Sequence, residues 1–265
     1  MMQKVQIVIL AAGNGTRMKN VVPKVLIPVK GKPMLQRLVE VSIESGLTQK
    51  PVVVVNERNE EQIKAVLGDS CFYALQTEQL GTGHAISCAK ELLEGKAESI
   101  LVLNGDHPFV SKETLHALYH LFSESKGVFT MATTKAEAFS GWQSTLYDFG
   151  RIIRDEQGSI IEIVEKKDAT LEQLEITEVN PAYYCFDANW LWQELPLIQN
   201  DNNQKEYYLT QIVKLAIKDK KNISDVQINP EEALGVNSPE QLLLAEELAL
   251  AKNFNVRQEA IDTTS

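Results

Sequence analysis

Residues 6–10, Gln-Ile-Val-Ile-Leu, run straight into Ala11-Ala-Gly13-Asn-Gly15, and this junction of an apolar run with a glycine-bearing loop constrains the fold more than any other stretch. Five apolar-rich residues are too few for a helix and read as a buried strand, and the small residues beyond them let the backbone turn tightly at its end. The arrangement then recurs. Amphipathic stretches near 34–45 and 60–67 flank the apolar run 51–56, and a helical stretch near 83–93 precedes the apolar run 99–103. Residues 111–122 follow as a further helix with Ser111 placed as its N-cap. Apolar runs alternating with helical periodicity predict βαβ units and a doubly wound, Rossmann-like α/β sheet.

After Gly127 the pattern shifts to strand-like pieces at 128–133, 151–154 and 159–165, with Asp155-Glu-Gln-Gly158 marking a hairpin turn. The sheet is therefore expected to be mixed, with a small antiparallel extension. Helical patterns resume near 188–195 and 207–218. Ser238-Pro239-Glu240-Gln241 then combines capping-box spacing with proline at the first helical position, opening a helix to about residue 252. The expected division is one unit over residues 1–237, in two parts of about 1–127 and 128–237, followed by a C-terminal helix and loose tail over 238–265. No run of hexapeptide repeats follows Ser238, so no left-handed β-helix is expected.

Charge narrows the partners. The net charge of −10 argues against nucleic acid or an anionic membrane, both of which require a basic face. No apolar stretch approaches the roughly 18 residues of a membrane span, and a cytoplasmic protein is expected. The three cysteines, Cys71, Cys88 and Cys185, have no C-x-x-C spacing and suggest neither a disulfide framework nor zinc. His116 and His120 are spaced as metal ligands on a helix, but Leu118 and Tyr119 stand between them without an adjacent acid, and they read as ordinary helix residues.

Residues 1–39 contain no Asp or Glu but carry Lys4, Arg17, Lys19, Lys24, Lys30, Lys32 and Arg37, which marks a local site for an anion. In Leu10-Ala-Ala-Gly13-Asn-Gly15-Thr16-Arg17-Met18, backbone N–H groups can approach a polyphosphate, while Arg17 and, after Pro23, Lys24 neutralise its charge. The string fits neither the dinucleotide fingerprint nor the Walker loop. Asp106 falls just past an apolar strand, where open α/β sheets bind ligands, and a carboxylate there suits a hard cation.

The loop and its trailing Pro23-Lys24 resemble the signature of the sugar-phosphate nucleotidyltransferases. Gln76-Thr-Glu-Gln79-Leu80-Gly81-Thr82-Gly83-His84-Ala85 is similar to the uracil- and ribose-binding segment of the N-acetylglucosamine-1-phosphate uridyltransferases, including the uridyltransferase half of the bifunctional bacterial enzyme. Gly105-Asp106, Phe149-Gly150-Arg151-Ile152, Ile163-Val164-Glu165, Glu178-Val-Asn180, Glu206-Tyr207-Tyr208-Leu209-Thr210 and Gly235-Val236-Asn237 match further motifs in the family's order, over roughly residues 5–245.

The resemblance implies that residues 1–127 bind the nucleotide and 128–237 the sugar. Leu10, Ala11, Ala12, Gly13, Gly15, Thr16, Gln76, Gln79, Gly81 and Thr82 would contact the nucleotide, Arg17 and Lys24 would be catalytic, and Gly150, Glu165 and Asn180 would face the sugar. Asp106 and Asn237 would hold Mg²⁺. An amide such as that of Gln76 or Gln79 both donates and accepts, as reading a base edge requires. The expected reaction joins an NTP, UTP by this resemblance, to N-acetylglucosamine 1-phosphate or a related hexose or hexosamine phosphate, and both partners are small molecules. Another NTP or sugar phosphate, or a regulatory protein that binds nucleotide sugars without turnover, are the alternatives.

Three positions depart from the family pattern. Asn104 replaces an aromatic, Gln211 an aspartate, and Pro181-Ala182 a small residue followed by glycine. The Cβ of Ala182 disfavours positive φ, so a sugar pocket of altered shape is expected.

Overall fold

The computed structural model describes residues 3–13, 15 and 22–251. Its strands are β1 (Gln3–Leu10), β2 (Pro28–Val29), β3 (Lys32–Pro33), β4 (Val52–Val55), β5 (Phe72–Leu75), β6 (Ala97–Asn104), β7 (Phe129–Lys135), β8 (Gly150–Arg154), β9 (Ile160–Val164), β10 (Glu178–Asn180), β11 (Tyr184–Asp187) and β12 (Ile223–Gln227). Ten of them form one mixed sheet in the order β5-β4-β1-β6-β11-β7-β10-β8-β9, with β12 also paired to β7, while β2 and β3 form a separate antiparallel pair.

In the parallel part, β5-β4-β1-β6, the inner strands β4, β1 and β6 are buried on both faces, and the two-residue side-chain period of a strand sorts their residues between two cores. Val8, Val52, Val54, Ile100 and Val102 face the core completed by the helices Thr82–Ser87, Ala188–Glu194 and Ile212–Lys218. Ile7, Ile9, Val53, Val55, Leu101 and Leu103 face the opposite core, completed by Met34–Glu44, Glu60–Leu67 and Lys112–Ser125.

β11 inserts antiparallel between β6 and β7, and β10 then carries the antiparallel β8–β9 hairpin outward, so the extension is hydrogen-bonded into the main sheet through β7. Its outer strands are tied back by Arg154, whose guanidinium meets Glu178 and Asp225 at 2.6 Å each.

The helix expected over 83–93 is two short helices, Thr82–Ser87 and Lys90–Leu93. The His84 carbonyl accepts from Ser87 Oγ, Cys88 Sγ and Cys88 N, and the Ala89 N–H turns to the closer Ile86 carbonyl at 2.9 Å. Side chains bonding back to the helix carbonyls compete with its ladder and break it there. At the C-terminal helix, Pro239–Ala251, the Gln241 N–H donates to Ser238 Oγ at 3.3 Å and the Gln241 side chain accepts from Asn237 N at 2.6 Å, which fixes Asn237 at the helix entrance.

The ends of β1 and β6 lie side by side, Leu10 opposite Asn104, and the Gly105 N–H donates to the Leu10 carbonyl at 2.9 Å. A Cβ at Gly105 would stand 2.9 Å from that carbonyl and 3.3 Å from Val25 Cγ1, so only glycine lets Asp106 come this close to the first loop. Gly105→Ala is expected to cost about 1–3 kcal/mol, the usual penalty for overpacking, read as a lowered Tm; an unchanged Tm would show that the two strand ends are free to part.

Candidate functional site

Four strands deliver their carboxyl ends to one rim of the sheet: Gln76 follows β5, Asn56 follows β4, Ala11 follows β1 and Asp106 follows β6. A cleft of about 620 Å³ opens there. It is lined by Leu10, Ala11, Ala12, Gly13, Gly15, Lys24, Gln76, Gln79, Gly81, Thr82, Asp106, Glu165 and Asn237, so the structure gathers most of the expected nucleotide, catalytic and metal positions into one space. Arg17 and Thr16 lie outside the described residues.

Two buried asparagines that sequence reasoning passed over shape the loop. Asn56 Nδ2 donates to the Ala12 carbonyl at 2.6 Å and Asn59 Nδ2 to the Ala11 carbonyl at 2.8 Å. The asparagines brace each other, Asn56 N donating to Asn59 Oδ1 at 2.9 Å and Asn59 N to Asn56 Oδ1 at 3.0 Å. The carbonyls of Ala11 and Ala12 are thereby held toward these asparagines. The spacing Asn56-x-x-Asn59 after an apolar strand was the available signal.

Lys24 is the centre of the charged part. Its Nζ lies 2.7 Å from Asp106 Oδ2 and 2.8 Å from Asn237 Oδ1, joining residues from three distant parts of the chain. Asn237 arrives because the Val236 N–H donates to the Asp106 carbonyl at 3.0 Å. Lys24 also packs under the loop, where a Cβ at Gly15 would stand 2.7 Å from Lys24 Cβ. Burial pushes the Asp106 carboxyl up, but the Lys24 ammonium and the adjacent His107 pull it down further, to about 2. Burial also holds the His107 imidazole below its ordinary value, against the opposite pull of Asp106, whose Oδ1 lies 3.7 Å from His107 Nε2.

The carboxylate of Asp106 and the amide carbonyl of Asn237 thus converge on one positive charge, and such hard oxygen donors fit Mg²⁺. Among the described residues no group of three or more His, Cys, Asp or Glu is arranged to hold a metal.

On the far side of Asn104 the cleft deepens into a smaller cavity of about 190 Å³, to which Gly150, Glu165, Asn180 and Ala182 contribute. Glu165 Oε1 accepts from Thr210 Oγ1 at 3.0 Å, and burial raises its carboxyl above the usual carboxylate range. Asn180 is buried, donating from Nδ2 to the Tyr184 hydroxyl at 2.7 Å and accepting from Ala182 N at 3.0 Å.

Ala182 takes the left-handed conformation, φ +61°, that its Cβ was expected to oppose. The Asx-type hydrogen bond from its N–H to Asn180 Oδ1 holds it there against a strain on the order of 1 kcal/mol. The backbone therefore follows the path a glycine would take, and what changes in the cavity is an added methyl. Two departures also meet: Asn104 Nδ2 donates to the Pro181 carbonyl at 3.3 Å. The third, Gln211, clasps the backbone of Gln199 with two hydrogen bonds of 2.8 and 3.1 Å, a surface clamp away from both cavities.

The fold is of the nucleotidyltransferase type: a putative glucose-1-phosphate thymidylyltransferase from Bacillus anthracis superposes with a TM-score of 0.72 over 92% of this chain and 95% of that one, at 17% identity. The chain belongs to the MobA-like NTP transferase domain family, whose model matches residues 7–211. Similar curated proteins include the bifunctional protein GlmU of Clostridium novyi (strain NT), 41% identical over 91% of this chain and 51% of that protein. The bifunctional protein GlmU of Exiguobacterium sibiricum is 42% identical over 90% of this chain and 51% of its own length. That of Desulfotalea psychrophila is 36% identical over 94% and 72%. The chain thus spans about half the length of the first two. No helix among the described residues is long and apolar enough to cross a membrane.

Tyr183, also missed from the sequence, holds the floor together. It is fully buried, its hydroxyl meeting His107 Nδ1 at 2.7 Å and donating to the Glu232 carbonyl at 2.8 Å. Tyr183→Phe keeps the shape but strands the buried partners of the hydroxyl, and is expected to cost about 1–3 kcal/mol in thermal or denaturant unfolding. Wild-type stability in this variant would show that His107 finds another partner.

Proposed function

We propose that the chain transfers the uridylyl group of UTP to a sugar 1-phosphate, N-acetylglucosamine 1-phosphate or a related hexosamine phosphate, and releases pyrophosphate. The observation that carries this reading is the convergence of Lys24, Asp106 and Asn237 in the wall of the cleft that also holds the glycine loop and Gln76, a cleft that shares Asn104, Phe149 and Glu165 with the smaller cavity. It rests also on family membership and on the motif resemblance of residues 76–85 and 149–180 to the uridyltransferases.

The chemistry asks little of the protein beyond placement and charge. A phosphate oxygen of the sugar 1-phosphate is already anionic, attacks the α-phosphorus without a general base, and the bond to the β-phosphate oxygen breaks as pyrophosphate leaves. Asp106 and Asn237 are the residues that would hold Mg²⁺, which when bound supplies charge neutralisation to the phosphates. Lys24, under the loop, meets the charge that develops on the α-phosphate and on the leaving group. Glu165 and Asn180 present polar atoms to the sugar hydroxyls, and Gly150 and Ala182 form the adjoining wall.

The test is pyrophosphate release from purified protein with Mg²⁺, a panel of NTPs and a panel of sugar 1-phosphates. UTP is expected to exceed CTP and dTTP in kcat/KM by at least about tenfold, because a base site built on hydrogen bonds penalises the wrong edge. Asp106→Ala is expected to abolish turnover with the fold retained, and Lys24→Ala to lower kcat by about a hundredfold to a thousandfold, as loss of a preorganised charge partner does. Comparable rates with CTP or dTTP, or undiminished activity in both variants, would overturn the reading.

The methyl of Ala182 gives a second test. In Ala182→Gly the ratio of kcat/KM between N-acetylglucosamine 1-phosphate and glucosamine or glucose 1-phosphate is expected to shift by about tenfold, the scale set by one carbon in a snug pocket. Relief of the left-handed strain should raise stability on the order of 1 kcal/mol at the same time. Unaltered ratios would show that residue 182 does not shape the choice of sugar.

A further inference from the structure

We infer that His84 is a positioning residue for nucleobase selection: it locks the Gln76 side chain so that the only group Gln76 offers the cleft is its carbonyl oxygen, an acceptor suited to an N–H on the base edge. The inference rests on the reading of this cleft as a nucleotide site.

Gln76 follows β5 and lines the cleft, but it is only 3% exposed and its backbone is pinned, its N–H donating to the Val55 carbonyl at 2.8 Å. A side-chain amide has two N–H donors and one carbonyl. Gln76 Nε2 lies 3.3 Å from the Gly81 carbonyl and 3.0 Å from His84 Nδ1. A backbone carbonyl can only accept, so the nitrogen end of the amide must face it; the flipped amide would set two oxygens against each other. With one N–H given to Gly81, the second meets His84 Nδ1. That atom must then accept, which places the His84 proton on Nε2.

Both donors of Gln76 are therefore consumed on the protein side. Among the described residues no hydrogen bond reaches Gln76 Oε1, and this oxygen is not one of the fully buried atoms left without a partner. It is open to the cleft.

An acceptor held in this way distinguishes bases by a single proton. The N3 of uracil carries hydrogen and pairs with it, whereas the N3 of cytosine is itself an acceptor and meets it lone pair to lone pair. If the amide could turn freely it would suit either base. His84 enforces the choice without touching the nucleotide, from the first turn of the short helix Thr82–Ser87.

Binding and turnover separate this inference from the transfer reaction. UTP and CTP affinities are measured by calorimetry on the whole protein without sugar phosphate, alongside pyrophosphate release with it, for wild type, His84→Ala and His84→Asn. Wild type is expected to bind UTP more tightly than CTP. In His84→Ala the UTP-to-CTP ratio should fall by about tenfold, the scale of one hydrogen bond. His84→Asn should recover most of it, because its Oδ1 can accept where Nδ1 did. A wild type without preference for UTP overturns the inference. So does a ratio that His84→Ala leaves intact, a loss that falls equally on both nucleotides, or a His84→Asn protein as indiscriminate as His84→Ala. Selective UTP binding without pyrophosphate release would refute the transfer reaction and leave the role of His84 standing.

Discussion

One ammonium group holds the site together. Lys24 Nζ bridges Asp106 and Asn237, so the loop after β1, the end of β6 and the entrance to the C-terminal helix are tied at a single point. Burial makes a carboxylate in this place costly to ionise, and the lysine ammonium, together with His107 and the hydrogen bonds to the carboxylate, holds it below its ordinary value all the same. The arrangement is satisfied only while a cation stands between the two oxygens. That requirement explains why the surrounding supports are built from fixed hydrogen bonds: Gly105 to Leu10, Val236 to Asp106, and Tyr183 to His107 and Glu232.

The two sides of this charged centre are built differently. The larger cleft rests on the parallel strands β4, β1 and β6, buried on both faces, and its polar groups are backbone atoms and amides whose partners fix which end points outward. The smaller cavity rests on the antiparallel strands β8, β9 and β10, with the half-buried carboxylate of Glu165 and the buried amide of Asn180 among its polar groups. On the proposed function, selection of a base would work through the orientation of Gln76, and selection of a sugar through the volume left by Ala182 and the contact between Asn104 and Pro181.

What the sequence shows follows the same division. β1, β4 and β6 are apolar on both faces, so they are legible as unbroken apolar runs, and the helix Lys112–Ser125 begins where Ser111 can cap it, accepting from Thr114 N at 3.1 Å. β5 escapes notice because it is an edge strand whose Phe72 and Leu75 are exposed, and β12, Ile-Ser-Asp-Val-Gln, has the polar look of a loop. β10 and β11 are only three and four residues long, and their pairing is settled by distant partners on β6, β7 and β8. Among site residues, those of the glycine loop and the strand ends are visible as motifs. Asn56, Asn59 and Tyr183 stand outside those motifs, because each acts through a partner that only the folded chain brings near.

The late position of Asn237 in the chain has a consequence for assembly. The β5-β4-β1-β6 half of the sheet can form once the chain up to Asn104 has left the ribosome, for its strands pair among themselves. The partner that completes the Lys24–Asp106 pair comes 131 positions after Asp106, carried in by β12 and by the strand-like hydrogen bond of Val236. Loop closure on this scale makes the last contacts slow relative to local ones. A growing chain therefore has a nearly finished parallel core before it has a finished charged centre, which closes only when Asn237 joins Lys24 and Asp106.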